Sequence, residues 1–167
     1  MIFRGLLVSL FLFLGACSVQ EFPNDPKIDV VAGAKDRVAI ASEYLQKGEI
    51  ERAQIHLKKA LEMDPKSAEA HNLMGILLDR ESDLKGAEKH YRRAISLQEN
   101  FSKAHHNYGI LLFKQERYKD AAVNFEKAAT DVGYPQRAQS FEGLGRTALK
   151  LGDTERAERA FQRALRT

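Results

Sequence analysis

Four alanines recur along this chain at almost constant spacing, separated by 34, 34 and 36 residues. Three further positions keep the same register: a small residue twelve before each alanine, a bulky apolar residue four after it, and another alanine seven after it. From first repeat to last, the four columns contain Ala41, Gly75, Gly109 and Gly145; Ala53, Ala87, Ala121 and Ala157; Leu57, Tyr91, Phe125 and Phe161; and Ala60, Ala94, Ala128 and Ala164. A chain with such a period folds as stacked copies of one small unit.

A period of about 34 residues resembles that of the tetratricopeptide repeat (TPR), in which each repeat is a pair of helices, A and B. The small residues let helices A and B approach closely, and the bulky residue fills the gap toward the next repeat. The sequence therefore predicts an all-α, right-handed TPR solenoid of four helix-turn-helix repeats, at about 34–67, 68–101, 102–135 and 138–167. Because no repeat buries its apolar face alone, we interpret the columns as packing positions and not as a cofactor site.

Turn residues predict where the helices begin and end. Gly48 is a glycine stop for the first helix A, and Pro65 interrupts the chain after the first helix B. Helix B is predicted to begin near Ile50, Leu84, Tyr118 and Thr154. The longer third step places extra residues around 131–137, where glycine and proline indicate a longer turn. This irregularity is either neutral or a bend that shapes the binding groove.

The N-terminus combines Arg4 with an apolar run from Gly5 to Leu14. At about ten residues the run is too short to span a bilayer, which needs about twenty, and it is typical of a secretory signal peptide. It ends in Leu14-Gly-Ala-Cys17, which resembles the lipobox of bacterial lipoproteins. The resemblance implies a signal peptide over 1–16 and acylation of Cys17. The alternative is an ordinary signal peptide followed by an incidental free cysteine.

Acylation of Cys17 has consequences for redox state and location. It consumes the only thiol of the chain, so no intramolecular disulfide can form. Two or more acyl chains hold a protein stably on a membrane, at about 0.8 kcal/mol per buried CH₂. Ser18, and not an aspartate, follows the cysteine, so the resemblance to lipoprotein sorting implies a lipid-anchored protein of the outer membrane that faces the periplasm. Residues 17–33 are predicted to be the lipidated N-terminus and an extended linker.

Charge and motifs narrow the possible functions. The net charge is +3, and charges of both signs are mixed along the helices, so there is no basic stripe for nucleic acid. The sequence contains no Gly-rich phosphate loop, nucleophile elbow or His-Glu-x-x-His motif. His71 and His105 occupy the same position of helix A, without a Cys or carboxylate cluster at metal-ligand spacing, which indicates structural roles. We expect no enzyme activity, metal, cofactor or small-molecule substrate.

The inner face of helix A is where TPR proteins bind segments of other proteins. Transferring that register gives the candidate groove residues Val38, Ser42, Leu45, Asn72, Ile76, Asp79, Lys103, His106, Ile110, Phe113, Glu142, Arg146 and Leu149. Chaperone-binding TPRs grip a C-terminal carboxylate with Lys and Asn at the fifth and ninth positions of a repeat. Val38 and Ser42 stand there in repeat 1, and only Lys103 matches the clamp. A groove of apolar positions with polar rims favours an amphipathic or extended apolar segment.

The most specific stretches are 106–118, Tyr134-Pro-Gln-Arg137 and 141–145. Together with the lipobox they resemble the pilotin lipoproteins of type IV pilus biogenesis, the PilF/PilW type, and the similarity runs from the signal peptide to the last residue. The resemblance implies an outer-membrane lipoprotein adaptor. Such an adaptor binds subunits of the secretin, the pore through which the pilus leaves, and promotes their localisation or assembly. The alternative is a general TPR lipoprotein scaffold that docks periplasmic cell-wall enzymes.

The C-terminal end departs from that family. Pilotins of this type usually continue into further repeats, whereas this sequence stops within helix B of repeat 4. Phe161, Ala164 and Leu165 then have no following helix to cover what lies beyond them, although repeat arrays normally finish with a polar capping element. We expect a frayed and partly exposed last helix, a chain cut short relative to its relatives, or burial of this end against a partner.

Overall fold

The structure is a computed structural model that describes residues 26–167. This part of the chain forms eight α-helices and no strand. The helices are α1 (Pro26–Lys47), α2 (Ile50–Met63), α3 (Ala68–Arg80), α4 (Leu84–Leu97), α5 (Ser102–Lys114), α6 (Tyr118–Thr130), α7 (Arg137–Lys150) and α8 (Thr154–Leu165). Consecutive helices pair as A and B of four repeats, and the A helices α1, α3, α5 and α7 also contact one another in order. The predicted all-α solenoid of four repeats is confirmed.

The turn between helices A and B has one geometry in all four repeats. The predicted starts of helix B are confirmed in each case. One residue of every turn has a positive φ, at 77° for Gly48 and Gly152, 65° for Ser82 and 60° for Glu116. This left-handed region favours glycine, because a Cβ there crowds the following carbonyl. Two side-chain-bearing residues adopt it nevertheless, so the packing of the helix pair determines the turn.

Helix α1 corrects one predicted boundary. The sequence predicts a linker over 17–33, and this is wrong for residues 26–33, which are helical and continue directly into helix A of repeat 1. Pro26 is the first helical residue, a place where the fixed φ of proline suits a helix and its missing N–H removes no helical bond. The predicted signal peptide, 1–16, the lipidation site Cys17 and the rest of the predicted linker lie outside the described residues.

Aromatic rings of helix B lie against glycines of helix A. A Cβ added to Gly75 would lie 2.6 Å from the ring of Tyr91, and one added to Gly109 would lie 2.9 Å from the ring of Phe125. Atoms at those distances overlap, so the two helices approach this closely only without a side chain at the glycine. The column alanines of the first three repeats are fully buried or nearly so. The repeating columns are therefore the core of the solenoid, as predicted.

The last helix has an open outer face. Helix α8 is regular to Leu165, whose side chain is 88% exposed, while Phe161 and Ala164 are half-buried. This agrees with the partly exposed last helix that is one of the three expectations. Among residues 26–167, no helix combines the length and the apolarity needed to cross a membrane.

Candidate functional site

The predicted groove residues fall into buried and accessible positions. Val38 and Leu45 belong to the apolar core that α1 and α2 form with α3, and Asn72 is 0% exposed. The expectation that these three side chains line an open groove is wrong, because successive A helices pack closely enough to cover them. Leu73 and Leu77 of α3 belong to the same core as Val38 and Leu45. The N-terminal half of the inner face is therefore partly closed.

Five predicted groove residues meet around one concavity of about 350 Å³, between α5 and α7. They are His106, Ile110, Phe113, Glu142 and Arg146. Sequence reasoning missed the other lining residues, Lys114, Phe125, Gln139 and Gly143. Apolar side chains and a glycine alternate there with charged and amide groups of both signs. Such a surface suits a side chain that is apolar in its body and flanked by polar backbone or side-chain groups.

Gly143 lets the ring of Phe125 pack directly against α7 beside this concavity. A Cβ at Gly143 would lie 2.6 Å from the ring of Phe125. The equivalent positions of the two preceding repeats have side chains, Leu73 and Asn107. The missing side chain therefore lets α7 approach the Phe125 ring, which is 3% exposed and forms the floor of the concavity. The signal in the sequence was the glycine itself, at a column where the other repeats carry a side chain.

In one part of the concavity the cationic side chain of Arg146 lies over the aromatic ring of Phe113. The guanidinium carbon of Arg146 lies 5.1 Å from the centroid of the Phe113 ring, within range of a cation–π interaction worth about 0.5–1 kcal/mol at an exposed site. On the other side, His106 Nδ1 lies 2.8 Å from Ser140 Oγ. Burial lowers the pKa of His106, so at neutral pH this side chain is an uncharged wall. Two cations remain beside the apolar surface, Arg146 and Lys114, and Lys114 is ion-paired with Asp79.

Other predicted groove residues connect neighbouring A helices. Asp79 Oδ2 accepts a hydrogen bond of 2.6 Å from Lys114 Nζ, and Lys103 Nζ donates one of 3.1 Å to Glu69. Asn107, which sequence reasoning missed, donates a 2.9 Å bond to Asn72 Oδ1. The last three predicted residues line no part of the concavity. Ser42 and Ile76 are half-buried, and Leu149 is 52% exposed.

His71 of α3 and His105 of α5 connect each helix A to its own helix B. His105 Nε2 lies 2.9 Å from the Glu99 carbonyl, and its Nδ1 lies 2.8 Å from Asn124 Oδ1. His71 repeats the arrangement one repeat earlier, with Nε2 3.2 Å from the Pro65 carbonyl and Nδ1 3.0 Å from His90 Nδ1. These contacts agree with the predicted structural roles. The described residues contain no group of three or more His, Cys, Asp or Glu placed to hold a metal ion.

The imidazole pair of His71 and His90 makes stability depend on pH. Burial and the neighbouring charges of His71 and Lys89 lower the pKa of His90 from 6.5 to about 4. The unfolded chain therefore takes up this proton first, and stability falls as the pH drops from about 6.5 toward 4. Because His90 is half-buried and screened by solvent, we expect a loss of about 1–2 kcal/mol. Urea unfolding at pH 7 and pH 4.5 measures it.

A matched pair of variants assigns this pH effect to the imidazole pair. His90→Asn copies Asn124, the residue that repeat 3 has at the same position, and it removes the titrating partner. We expect His90→Asn to lose clearly less stability than the wild type between pH 7 and pH 4.5. His56→Asn makes the same change one repeat earlier and serves as the control. Equal pH dependence in the wild type and His90→Asn would contradict the assignment.

Family models of two kinds, both described as tetratricopeptide repeat, match the chain over residues 38–104 and 101–167. Between them they cover all of α3 to α8 and most of the first repeat. The chain belongs to the tetratricopeptide repeat family. The inner face of its A helices, which contains the concavity, is therefore the surface where TPR proteins hold their ligands.

Among characterised proteins, this TPR chain is similar to the type IV pilus assembly protein PilF of Pseudomonas aeruginosa. It is 37% identical to PilF over 123 residues, which are 74% of this chain and 49% of PilF. The solved structure of Pseudomonas aeruginosa PilF matches with a TM-score of 0.78 at 32% identity, covering 84% of this chain and 62% of that one. The chain thus spans about half the length of its curated relative. The predicted resemblance to the PilF/PilW type is confirmed.

Two further solved structures share the fold. PilW, described as a widely conserved type IV pilus biogenesis factor, matches with a TM-score of 0.73 at 24% identity, over 79% of this chain and 60% of its own. MamA matches with a TM-score of 0.70 at 22% identity, over 85% of this chain and 79% of its own. At these identities the likeness concerns the fold alone.

Proposed function

We propose that this TPR chain acts in type IV pilus biogenesis as a pilotin, an adaptor that binds secretin subunits and promotes their outer-membrane localisation or assembly. The concavity between α5 and α7 carries the protein-binding part of the proposal. The identity to PilF, named a type IV pilus assembly protein, supports the pilus context. The secretin is the partner that the resemblance to pilotins implies.

The chemistry of the concavity favours an apolar anchor from the partner. Ile110 and Phe113 offer apolar surface above the buried Phe125 ring, and burying such surface yields about 25 cal/mol per Å². Arg146 and Glu142 at its margin supply charges of opposite sign that orient the flanking groups. A few central residues usually dominate such binding. The concavity therefore holds one large apolar side chain of a secretin segment, with the polar margin setting its direction.

The location is proposed from the N-terminal sequence. The lipobox Leu14–Cys17 supports a lipid anchor, and Ser18 at the following position supports the outer membrane. On this proposal the acyl chains hold the solenoid at the periplasmic side of that membrane, and the bound secretin subunit is carried there with it. The adaptor therefore needs two elements, the anchor and the concavity, and each is testable on its own.

The Ile110→Asp variant tests the concavity. A carboxylate at the centre of the apolar surface loses its hydration when the partner binds, so we expect secretin binding to weaken at least about tenfold. Helicity, followed by circular dichroism, should change little, because Ile110 is only half-buried. Val123→Asp makes a similar change at an exposed position of α6 outside the concavity and should bind normally. Affinity capture of secretin subunits from envelope extract, followed by a titration, provides the measurement.

Three results would contradict the proposed function. If the wild-type protein captures cell-wall enzymes and no secretin, the partner is wrong. Equal weakening by Ile110→Asp and Val123→Asp would mean that the concavity is not the binding site. Normal secretin multimers and pili in a strain lacking the protein would exclude the assembly role.

A further inference from the structure

A second pocket, of about 530 Å³, lies between α3 and α4 on repeat 2 and shares no residue with the concavity. Three cationic side chains line it, Lys89, Arg92 and Arg93, together with the paired imidazoles of His71 and His90. No acidic side chain is part of the lining. The pocket is therefore a concave surface with charge of one sign, which attracts anions.

The three cations of this pocket form no ion pair within residues 26–167. None of its three cations has a carboxylate oxygen within 4.0 Å, whereas the nearby Arg117 has ion pairs to Glu88 and Asp120. The charge of Arg92 attracts that of Glu88 at longer range. That carboxylate already accepts hydrogen bonds from Arg117 and Tyr108. The three cations of the pocket thus have no carboxylate of the described residues at ion-pair distance as a partner of their own.

Two carboxylates whose charges influence the imidazole pair also have hydrogen-bond partners elsewhere. The negative charge of Asp64 partly opposes the lowering of the pKa of His71, and that of Asp83 does the same for His90. Asp64 Oδ1 accepts from the Lys66 backbone N–H, and Asp83 Oδ1 caps α4 by accepting from the Gly86 N–H. Each of them therefore has a structural partner of its own, and neither belongs to the lining of the pocket.

Repeat 3 shows that the charge is not a by-product of the fold. It has a pocket at the equivalent place, beside His105, and that pocket contains Glu99 and Asp131 as well as Lys127. In the sequence, Val123 and Glu126 stand where repeat 2 has Lys89 and Arg92. The same helix pair thus forms a mixed-charge pocket in one repeat and a uniformly positive one in the other.

We propose that the pocket lined by Lys89, Arg92 and Arg93 binds a phosphate group of the kind that anionic phospholipid headgroups carry. Guanidinium groups bind phosphate oxygens through paired hydrogen bonds, and an ammonium adds a point charge. Basic residues close to an anionic membrane surface also add to its attraction for the protein. The choice of lipid as the source of the phosphate rests on the proposed membrane anchor, which keeps the solenoid beside phospholipid headgroups. The phosphate site itself is inferred from the pocket alone and does not depend on the anchor.

Titration with soluble lipids tests the pocket on the purified chain in nonionic detergent. The probes are dihexanoyl phosphatidylglycerol, the zwitterionic dihexanoyl phosphatidylcholine and inorganic phosphate, with histidine ring chemical shifts as the readout. We expect phosphatidylglycerol to bind and to raise the pKa of His90, because a bound anion opposes the field that lowers it. Phosphatidylcholine should bind at least about tenfold more weakly, because its choline cation is repelled.

Two double variants locate the binding. Arg92→Gln with Arg93→Gln removes two charges from the pocket and should weaken phosphatidylglycerol binding at least about tenfold. Lys58→Gln with Lys59→Gln removes two charges at the equivalent positions of repeat 1 and should change it less than about twofold. Ile110→Asp should leave lipid binding intact, which separates this site from the secretin proposal.

Several outcomes decide the matter. Binding of inorganic phosphate as tight as that of phosphatidylglycerol supports the phosphate site and identifies free phosphate as the source. No binding of either probe would overturn the proposal, as would equal weakening by the two double variants. A pocket that binds an acidic peptide such as oligoglutamate, and neither phosphate probe, would also overturn it.

Discussion

Replacing Phe125 by alanine is expected to lower the free energy of unfolding by about 3–5 kcal/mol. The ring is 3% exposed and lies against two glycines, Gly109 of its own repeat and Gly143 of the next. Its removal leaves a cavity at the boundary between repeats 3 and 4, where no side chain of either glycine can move in. Equilibrium unfolding in urea, followed by circular dichroism, measures the loss.

A neighbour on the same helix provides the control for Phe125→Ala. Val123 is 55% exposed, so Val123→Ala should change stability by less than about 0.5 kcal/mol. In a repeat protein the loss is concentrated in the damaged repeat and its neighbours, so hydrogen exchange should increase most in α5 to α8. A loss below about 1 kcal/mol for Phe125→Ala would show that the two repeats pack without this ring.

Changing Cys17 to serine is expected to move nearly all of the protein out of the membrane fraction. The proposed anchor consists of acyl chains worth about 0.8 kcal/mol per buried CH₂. Without them the ten-residue apolar run is too short to hold the mature chain in a bilayer. Sedimentation of membranes at high salt, scored for wild type and Cys17→Ser, is the measurement.

Ser18→Ala is the matched control, because it alters the next residue and leaves the acylated thiol in place. It should sediment with the membranes as the wild type does. If Cys17→Ser also sediments with the outer membrane like the wild type, lipid is not the anchor. That result would leave the concavity and its proposed partner untouched.

The sequence predicted the helix pairs because the same contact recurs in every repeat. Gly109 and Phe125 occupy their columns because helices A and B approach closely there. The equivalent glycines and aromatic rings of repeats 2 and 4 make the same contact. The turn positions were predictable on the same ground. The start of α1 was not, since Pro26 is a turn signal in a sequence and also a common first residue of a helix.

The candidate site was harder to predict, because the position of a residue in its repeat gives the direction of the side chain and not its exposure. Asn72 and His106 share one register position, yet Asn72 is fully buried while His106 lines the concavity. The difference comes from contacts between repeats: Asn107 of the next A helix donates a hydrogen bond to Asn72, whereas α7 has Gly143, without a side chain, at the position equivalent to Asn107. Groove positions transferred from the family treat all repeats alike, so they do not show that one repeat lacks a side chain. Five of the predicted groove residues, all on α5 and α7, lie around the concavity, and their role in binding stays a prediction.

The links between successive A helices give the inner side of the solenoid two kinds of joint. Repeats 2 and 3 are tied there by the charge pairs of Asp79 with Lys114 and Glu69 with Lys103, in addition to the Asn107–Asn72 hydrogen bond. Repeats 3 and 4 meet through a neutral hydrogen bond between His106 and Ser140. Salt screens exposed charge pairs and hardly affects the neutral bond. Raising the ionic strength should therefore weaken the charged part of the link between repeats 2 and 3 and leave the link between repeats 3 and 4 nearly unchanged.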